Sequence, residues 1–318
     1  MSAFPHPFRF DPSYGHTLES LLTISPPEAP DNFQDFWQTR YERALQVDPG
    51  VAMADSLLRH PGWEVKDVVY QSTDGFRIGG WLLLPRSGRP HRGLVVSHGY
   101  GGRAGPDFDW AIDRAAVFFP CCRGLSRSTR AGVSENPAYH VLHDIDKPER
   151  YILGGCVEDV WVGVSALLQL FPEMAGRIGF QGTSFGGGIG TMAVAWDSRI
   201  QRAAFNVPSF GHQALRLSLP TIGSGAAVSA FQRRRGNVMD TLQYYDAAMS
   251  ARHISVPVHV AAALFDPAVA PPGQFAIYNA LTGPKELFVQ AAGHFDFPGR
   301  DAQDKMLAIE LQRFFSLL

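Results

Sequence analysis

One serine in this chain stands where it could act as a nucleophile. Gly182-Thr183-Ser184-Phe185-Gly186 matches the pattern Gly-x-Ser-x-Gly. With 32 glycines and 21 serines in 318 residues, that pattern arises by chance about 0.2 times, so its surroundings must decide. Residues 178–181 read as the end of a strand and residues 187–196 as the start of a helix. A turn that sharp forces the serine into a strained backbone and presents its hydroxyl, while the flanking glycines let neighbouring backbone pass close by. A hydroxyl is a poor nucleophile until a base takes its proton. His294, in Ala291-Ala292-Gly293-His294, is suited to be that base, and Asp266 to be the acid that orients it. Asp266 directly follows the apolar run 256–265, and His294 follows the next one. Both therefore fall at carboxyl ends of strands, where sites gather in open α/β sheets. The chain order Ser, acid, His is that of an α/β hydrolase.

Other residues of these types fit less well. His259 lies inside an expected strand, and His253 precedes it at a helix end. Asp296 is only two residues from His294, and Asp246 lies in a helical stretch. Stabilising the charge of an acyl-transfer transition state takes two donors. The N–H of Phe185, after the nucleophile, is one; the loop Ser97-His98-Gly99-Tyr100-Gly101-Gly102 offers the N–H of Tyr100 as the other. The Phe185 ring either packs beside the acyl site and shortens it or points into the core, and both readings stay open.

The elements that must hold these residues follow from hydrophobic pattern. Residues 63–72 and 76–85 alternate as strands around Thr73-Asp74-Gly75, a hairpin signal. Short apolar runs at 93–97, 115–119, 177–180, 202–205, 256–265 and 286–289 are separated by helical segments including 157–170, 187–197, 273–281 and 302–316. That alternation predicts an α/β fold of the α/β-hydrolase type: a mostly parallel sheet with antiparallel edge strands and helices on both faces. The expectation is a single domain over residues 1–318. Residues 1–60 would form an arm without sustained periodicity and a helix that starts near Asp31, with Gln34 completing a capping box. Residues 209–240 break the alternation and read as an inserted cap, with Arg233-Arg234-Arg235 as a solvated face.

Composition narrows the function classes. Lys plus Arg is 28 and Asp plus Glu 30, a net charge of −2, with 45% hydrophobic residues. This is a globular composition without a basic footprint for nucleic acid or an acidic membrane surface. Apolar stretches look too short for the roughly 18 residues of a membrane span. Cys121, Cys122 and Cys156 make a poor disulfide framework, and no CxxC pair suggests zinc. The expectation is a cytoplasmic enzyme that needs neither cofactor nor metal and has no nucleic-acid or membrane partner.

At these residues the chain resembles carbohydrate esterase family seven, the acetyl xylan esterases and cephalosporin-C deacetylases. The resemblance runs through Asp35-Phe36-Trp37, Ser97-His98-Gly99-Tyr100, Cys122-Arg123-Gly124 and the glycine-flanked Ser184 to Gly188. It continues through Asp266 with Pro271-Pro272, then Tyr278-Asn279-Ala280-Leu281, Lys285-Glu286-Leu287 and Gly293-His294. It implies an α/β-hydrolase fold, deacetylation of small sugar esters through an acyl-enzyme, and a homo-oligomeric, hexameric assembly. It also implies Ser184, Asp266 and His294 as a triad, with Tyr100 and Phe185 as oxyanion donors. The chain departs from the family where Leu125 replaces Gln, Phe295 replaces Glu, Phe185 replaces Gln, and Cys121-Cys122 occupies a usually acidic position, which marks a divergent member. A peptidase or an aryl or longer-chain esterase on the same fold is the alternative.

Overall fold

The structure, a computed structural model, describes residues 4–110 and 112–318. Nine strands form one sheet: β1 (Ala52–Asp55), β2 (Trp63–Gln71), β3 (Arg77–Pro85), β4 (Arg92–Val96), β5 (Ala115–Pro120), β6 (Ile178–Thr183), β7 (Ile200–Asn206), β8 (Val258–Ala263) and β9 (Lys285–Gln290). Their spatial order is β1-β2-β3-β5-β4-β6-β7-β8-β9. β1, β2, β3 and β5 pair antiparallel, and from β5 through β9 every pair is parallel. The expected hairpin joins β2 to β3 through a single 3₁₀ turn at Thr73–Gly75, where Asp74 (φ 57°) and Gly75 (φ 65°) take the left-handed backbone that Asp-Gly tolerates.

The parallel strands are apolar on both faces because both faces are covered. Along β4, Val95 joins the core on one side, while Leu94 and Val96 join the core on the other. The first, larger core packs helices α2 (Phe33–Leu45), α4 (Ile152–Leu170), α5 (Phe185–Val194), α9 (Ala247–Ala251) and α10 (Pro271–Ala280) against the sheet. On the opposite face lies α11 (Arg300–Phe315), whose Phe314 and Phe315 are buried in the second core together with Leu94, Val117 and Ala204. Short helices α1 (Leu18–Leu21) and α3 (Pro137–His140) complete the layers. The irregular segment 209–240 resolves into α6 (Gln213–Ser218), α7 (Ser224–Arg235) and the start of α8 (Met239–Leu242). Arg233, Arg234 and Arg235 lie exposed in the last turn of α7, where cations favour a helix carboxyl end.

Several expectations need correction. The α2 capping box does not form: the cap position is Asn32, and its Oδ1 accepts from Tyr244 Oη at 2.9 Å instead. β1 was not foreseen, because all four of its residues are exposed on the sheet edge and carry no alternation. α4 is 19 residues of apolar helix, long enough by length and composition to cross a membrane. It is instead the central core helix, with 83% of its most apolar window buried inside the molecule. Its buried Glu158 and Asp159 are neutralised within the fold: Glu158 by Arg40 (3.1 Å) and Arg43 (2.7 Å), Asp159 by Arg123 (2.7 Å).

Candidate active site

β6 ends at Thr183 and α5 begins at Phe185, so Ser184 alone makes the turn. Its backbone sits at φ 57°, ψ −116°, a conformation that L residues rarely adopt. Two glycines make the turn feasible. A Cβ on Gly182 would lie 2.2 Å from the Gly186 carbonyl, and one on Gly186 would lie 2.7 Å from the His98 carbonyl. The turn is held by Ser184 N–H donating to Asn206 O (2.8 Å), and by Gly188 and Ser209 N–H donating to Ser184 O (3.0 Å each).

The three residues drawn from 110 positions of sequence meet. His294 Nε2 lies 2.8 Å from Ser184 Oγ, and His294 Nδ1 lies 2.7 Å from Asp266 Oδ2. A carboxylate only accepts, so Nδ1 carries the proton and Nε2 is left to accept from the serine hydroxyl. Asp266 is fully buried. Its Oδ1 accepts from the N–H groups of Ala268 and Val269 (2.9 Å each), and Oδ2 also accepts from Gln274 Nε2 at 3.1 Å. Burial works against a charged His294 ring, but the hydrogen bond and charge of Asp266 outweigh it and raise the ring above its ordinary pKa. His294 itself has φ 45°, a left-handed conformation unusual outside glycine.

The two nominated oxyanion donors border the same turn. Phe185 opens α5, so its N–H has no intrahelical acceptor. Among the described residues, neither that N–H nor the Tyr100 N–H donates to a backbone carbonyl outside a helix or strand. The Tyr100 loop follows β4, the immediate neighbour of β6, and Gly186 N–H donating to His98 O at 3.0 Å ties it to α5. His98 is a structural brace. Its Nδ1 donates to Gly99 O (2.7 Å) and its Nε2 accepts from Cys122 N–H (2.9 Å). The Phe185 ring is fully buried, 4.3 Å from the Tyr100 ring, so it points into the core and backs the loop from there.

The competing residues have other tasks. His259 is buried in β8 beside Phe288 and Phe314, and His253 packs on Trp196 and Phe33. Asp246 is not within a helix but caps α9, accepting from Ala248 N–H and from the N–H groups of His212 and Gln213. Asp296 is exposed near Arg300. Cys121, Cys122 and Cys156 are buried free thiols. Among the described residues, no cluster of three His, Cys, Asp or Glu side chains is arranged for a metal ion.

Sequence reasoning missed two sets of supporting residues. Tyr100 Oη donates to His140 Nδ1 at 3.0 Å, and His140 Nε2 donates to Arg123 O at 3.0 Å. Burial pushes His140 down to about 4, which keeps it the neutral acceptor that Tyr100 needs. Arg123 is clamped in turn by Asp159, through its own N–H (2.8 Å) and its guanidinium. The second set is the N-terminal segment. Phe4, His6, Phe8 and Phe10 are half-buried, while Pro5, Pro7, Arg9 and Asp11 are exposed. That strict alternation in Phe4-Pro5-His6-Pro7-Phe8-Arg9-Phe10 was the available signal, and it lies against the Asp266 and His294 loops.

Solved structures share this architecture. An acetyl xylan esterase from Paenibacillus sp. R4 superposes with a TM-score of 0.80 at 24% identity, covering 93% of this chain and 99% of that one. Acetyl xylan esterase 1 from Thermoanaerobacterium sp. JW/SL YS485 gives 0.77 at 22%, covering 95% and 99%. The acylaminoacyl peptidase of Pyrococcus horikoshii gives 0.61 at 15%, over 80% of this chain and 41% of that one. The fold is thus that of the α/β hydrolases. The acetyl xylan esterase (AXE1) family model matches residues 16–307, nearly the full length, and the chain therefore belongs to that family of carboxylic ester hydrolases.

Proposed function

We propose that Ser184 is the nucleophile of an acetyl ester hydrolase, with His294 as general base, Asp266 as orienting acid and the N–H groups of Tyr100 and Phe185 as the oxyanion hole. The observation that carries this reading is the hydrogen-bonded chain Ser184–His294–Asp266, at 2.8 and 2.7 Å. His294 Nε2 takes the Ser184 proton as Oγ bonds to the ester carbonyl carbon, and the carbonyl oxygen becomes an oxyanion held by the two N–H donors. The carbon–oxygen bond to the alcohol then breaks, and His294 returns the proton to the leaving alkoxide. Water, deprotonated by His294, attacks the acyl-enzyme; acetic acid leaves and Ser184 regains its proton.

The acyl group is short and the alcohol is a sugar or similar polyol. The short acyl group is supported by the family match, whose model describes acetyl xylan esterases. A cleft of about 650 Å³ meets Gly99 and Thr183, next to the nucleophile and the oxyanion loop. Trp110 offers it a flat ring, and Arg103, Asp107, Gln181 and Gln312 offer planar hydrogen-bonding groups. A sugar presents that combination of apolar face and hydroxyl rim. Ser184→Ala tests the mechanism: kcat should fall by about 10³-fold or more with the fold intact, and labelling by a serine-reactive phosphonate should vanish. A folded Ser184→Ala that still turns over p-nitrophenyl acetate at near the normal rate overturns it.

A further inference from the structure

We propose that the N-terminal segment 4–14 is a working part of the active site, an aromatic clamp that holds the strained His294 loop and the Asp266 loop in register with Ser184. The inference rests on His294 being the base. His294 occupies a backbone region that its side chain disfavours, so surrounding contacts must hold it there. On its amino-terminal side, Gly293 N–H donates to Phe265 O at 2.9 Å, and α11 contributes Gln303, which bonds Ala291 N–H and Ala292 O. On its carboxyl-terminal side comes Phe295, where the segment does the holding. The Phe295 ring lies 5.9 Å from Phe4, 6.1 Å from Phe8 and 4.9 Å from Phe265. Phe4 also meets Phe265 edge-on at 5.2 Å and Phe297 at 5.1 Å. Phe265 directly precedes Asp266 and Phe295 directly follows His294, so the rings of the segment bridge the acid and the base.

The segment also touches the acid's backbone. Asp266 N–H donates to Pro12 O at 3.0 Å. The far end is anchored by Tyr14, whose hydroxyl donates to Pro220 O at 2.8 Å, while Ile222 N–H donates to Pro267 O at 2.9 Å. The segment runs without regular secondary structure to a turn at residues 12–15 and forms no ladder with the sheet. Side-chain docking and these few backbone bonds are what fix it, so its loss removes the clamp without removing a strand. The inward-facing side chains of Phe4, His6 and Phe8 are positioning residues, acting through Phe265 and Phe295, and the Pro12 carbonyl acts through the Asp266 backbone; Pro5 and Arg9 face away.

The test is Phe4→Ala/Phe8→Ala in the full chain, assayed with p-nitrophenyl acetate and with active sites counted by phosphonate titration. Displacing a catalytic group by about 1 Å costs on the order of 100-fold. kcat per titrated site should therefore fall about 10- to 100-fold with KM within about twofold, and the phosphonate should react correspondingly more slowly. Phe4→Leu/Phe8→Leu, which refills the volume, should recover most of the rate. Pro5→Ala/Arg9→Ala, on the exposed side, should change nothing. Adding Phe295→Ala to the double alanine variant should cost little more, because the route is shared. The proposal is overturned if fewer sites titrate while each retains its normal kcat, since the segment would then only stabilise the fold. It is overturned equally if the leucine variant is no faster than the alanine one. A near-normal Ser184→Ala sinks the triad reading by itself, whatever the segment variants do.

Discussion

At the scale of single residues, Asp266 decides both the orientation and the pH response of the site. It fixes the histidine tautomer through a 2.7 Å bond and raises the ring's affinity for a proton. General-base work needs the neutral ring, so activity is lost as pH falls through the His294 pKa, which Asp266 places above the ordinary histidine value. Asp266→Asn removes the raising interactions while burial, which lowers the pKa, remains. Residual activity should then persist to lower pH than in the wild type, with kcat reduced by about 10³- to 10⁴-fold. A kcat/KM profile whose acid limb stays in place would contradict this account. Ser184, Asp266 and His294 were legible because strand ends and chain order leave a local signature. His140 was not: it comes 40 residues after Tyr100, and nothing between them announces that Tyr100 Oη donates to it.

At the scale of elements, α4 shows how the Tyr100 loop can depend on a buried core helix. Its sequence is apolar but for a few residues, Glu158 and Asp159 among them, and Asp159 receives Arg123 and the Ser72 hydroxyl (2.6 Å), while Arg123 carries the carbonyl that holds His140 and through it Tyr100. Breaking a buried pair from one side leaves a charge without its partner. Asp159→Ala should cost about 3–5 kcal/mol in urea unfolding, far above the roughly 0.5 kcal/mol of an ordinary surface change. A loss below about 1 kcal/mol would mean that Asp74 and Glu158, the other carboxylates near Arg123, suffice. The strands and long helices of the sheet were readable because burial on one or both faces imposes period 2 or 3.6. The N-terminal segment was not recognised because its alternating aromatics dock on loops and not in a ladder. The edge strand β1 escaped because exposure erases the pattern that burial writes.

At the scale of the whole molecule, the parallel order of β4 through β9 brings four separate carboxyl ends to one edge, so the proposed oxyanion loop, nucleophile, acid and base converge there. That convergence was foreseeable from alternating strands and helices. What the ester's two halves meet was not, because it depends on how irregular segments fold over that edge. The segment 99–110 leaves a cleft of about 650 Å³ open between itself and α11. The proposed assignment of this cleft to the alcohol can be tested with one substitution. Trp110 is remote in sequence from Ser184, Asp266 and His294, and its ring packs 6.5 Å from Phe119, so replacing it trims the cleft wall and leaves the hydrogen-bonded chain intact. Trp110→Ala should raise KM for acetylated xylose about five- to tenfold, the worth of one aromatic contact, with kcat nearly constant. For p-nitrophenyl acetate, whose flat leaving group needs none of the cleft's polar rim, kcat/KM should stay within about twofold. In both proteins acetate should be preferred over octanoate by at least about tenfold, because the acyl side is untouched. Equal losses on the sugar and aryl esters would show that Trp110 supports the oxyanion loop and not the alcohol, and a preference for octanoate would place the acyl chain in the cleft.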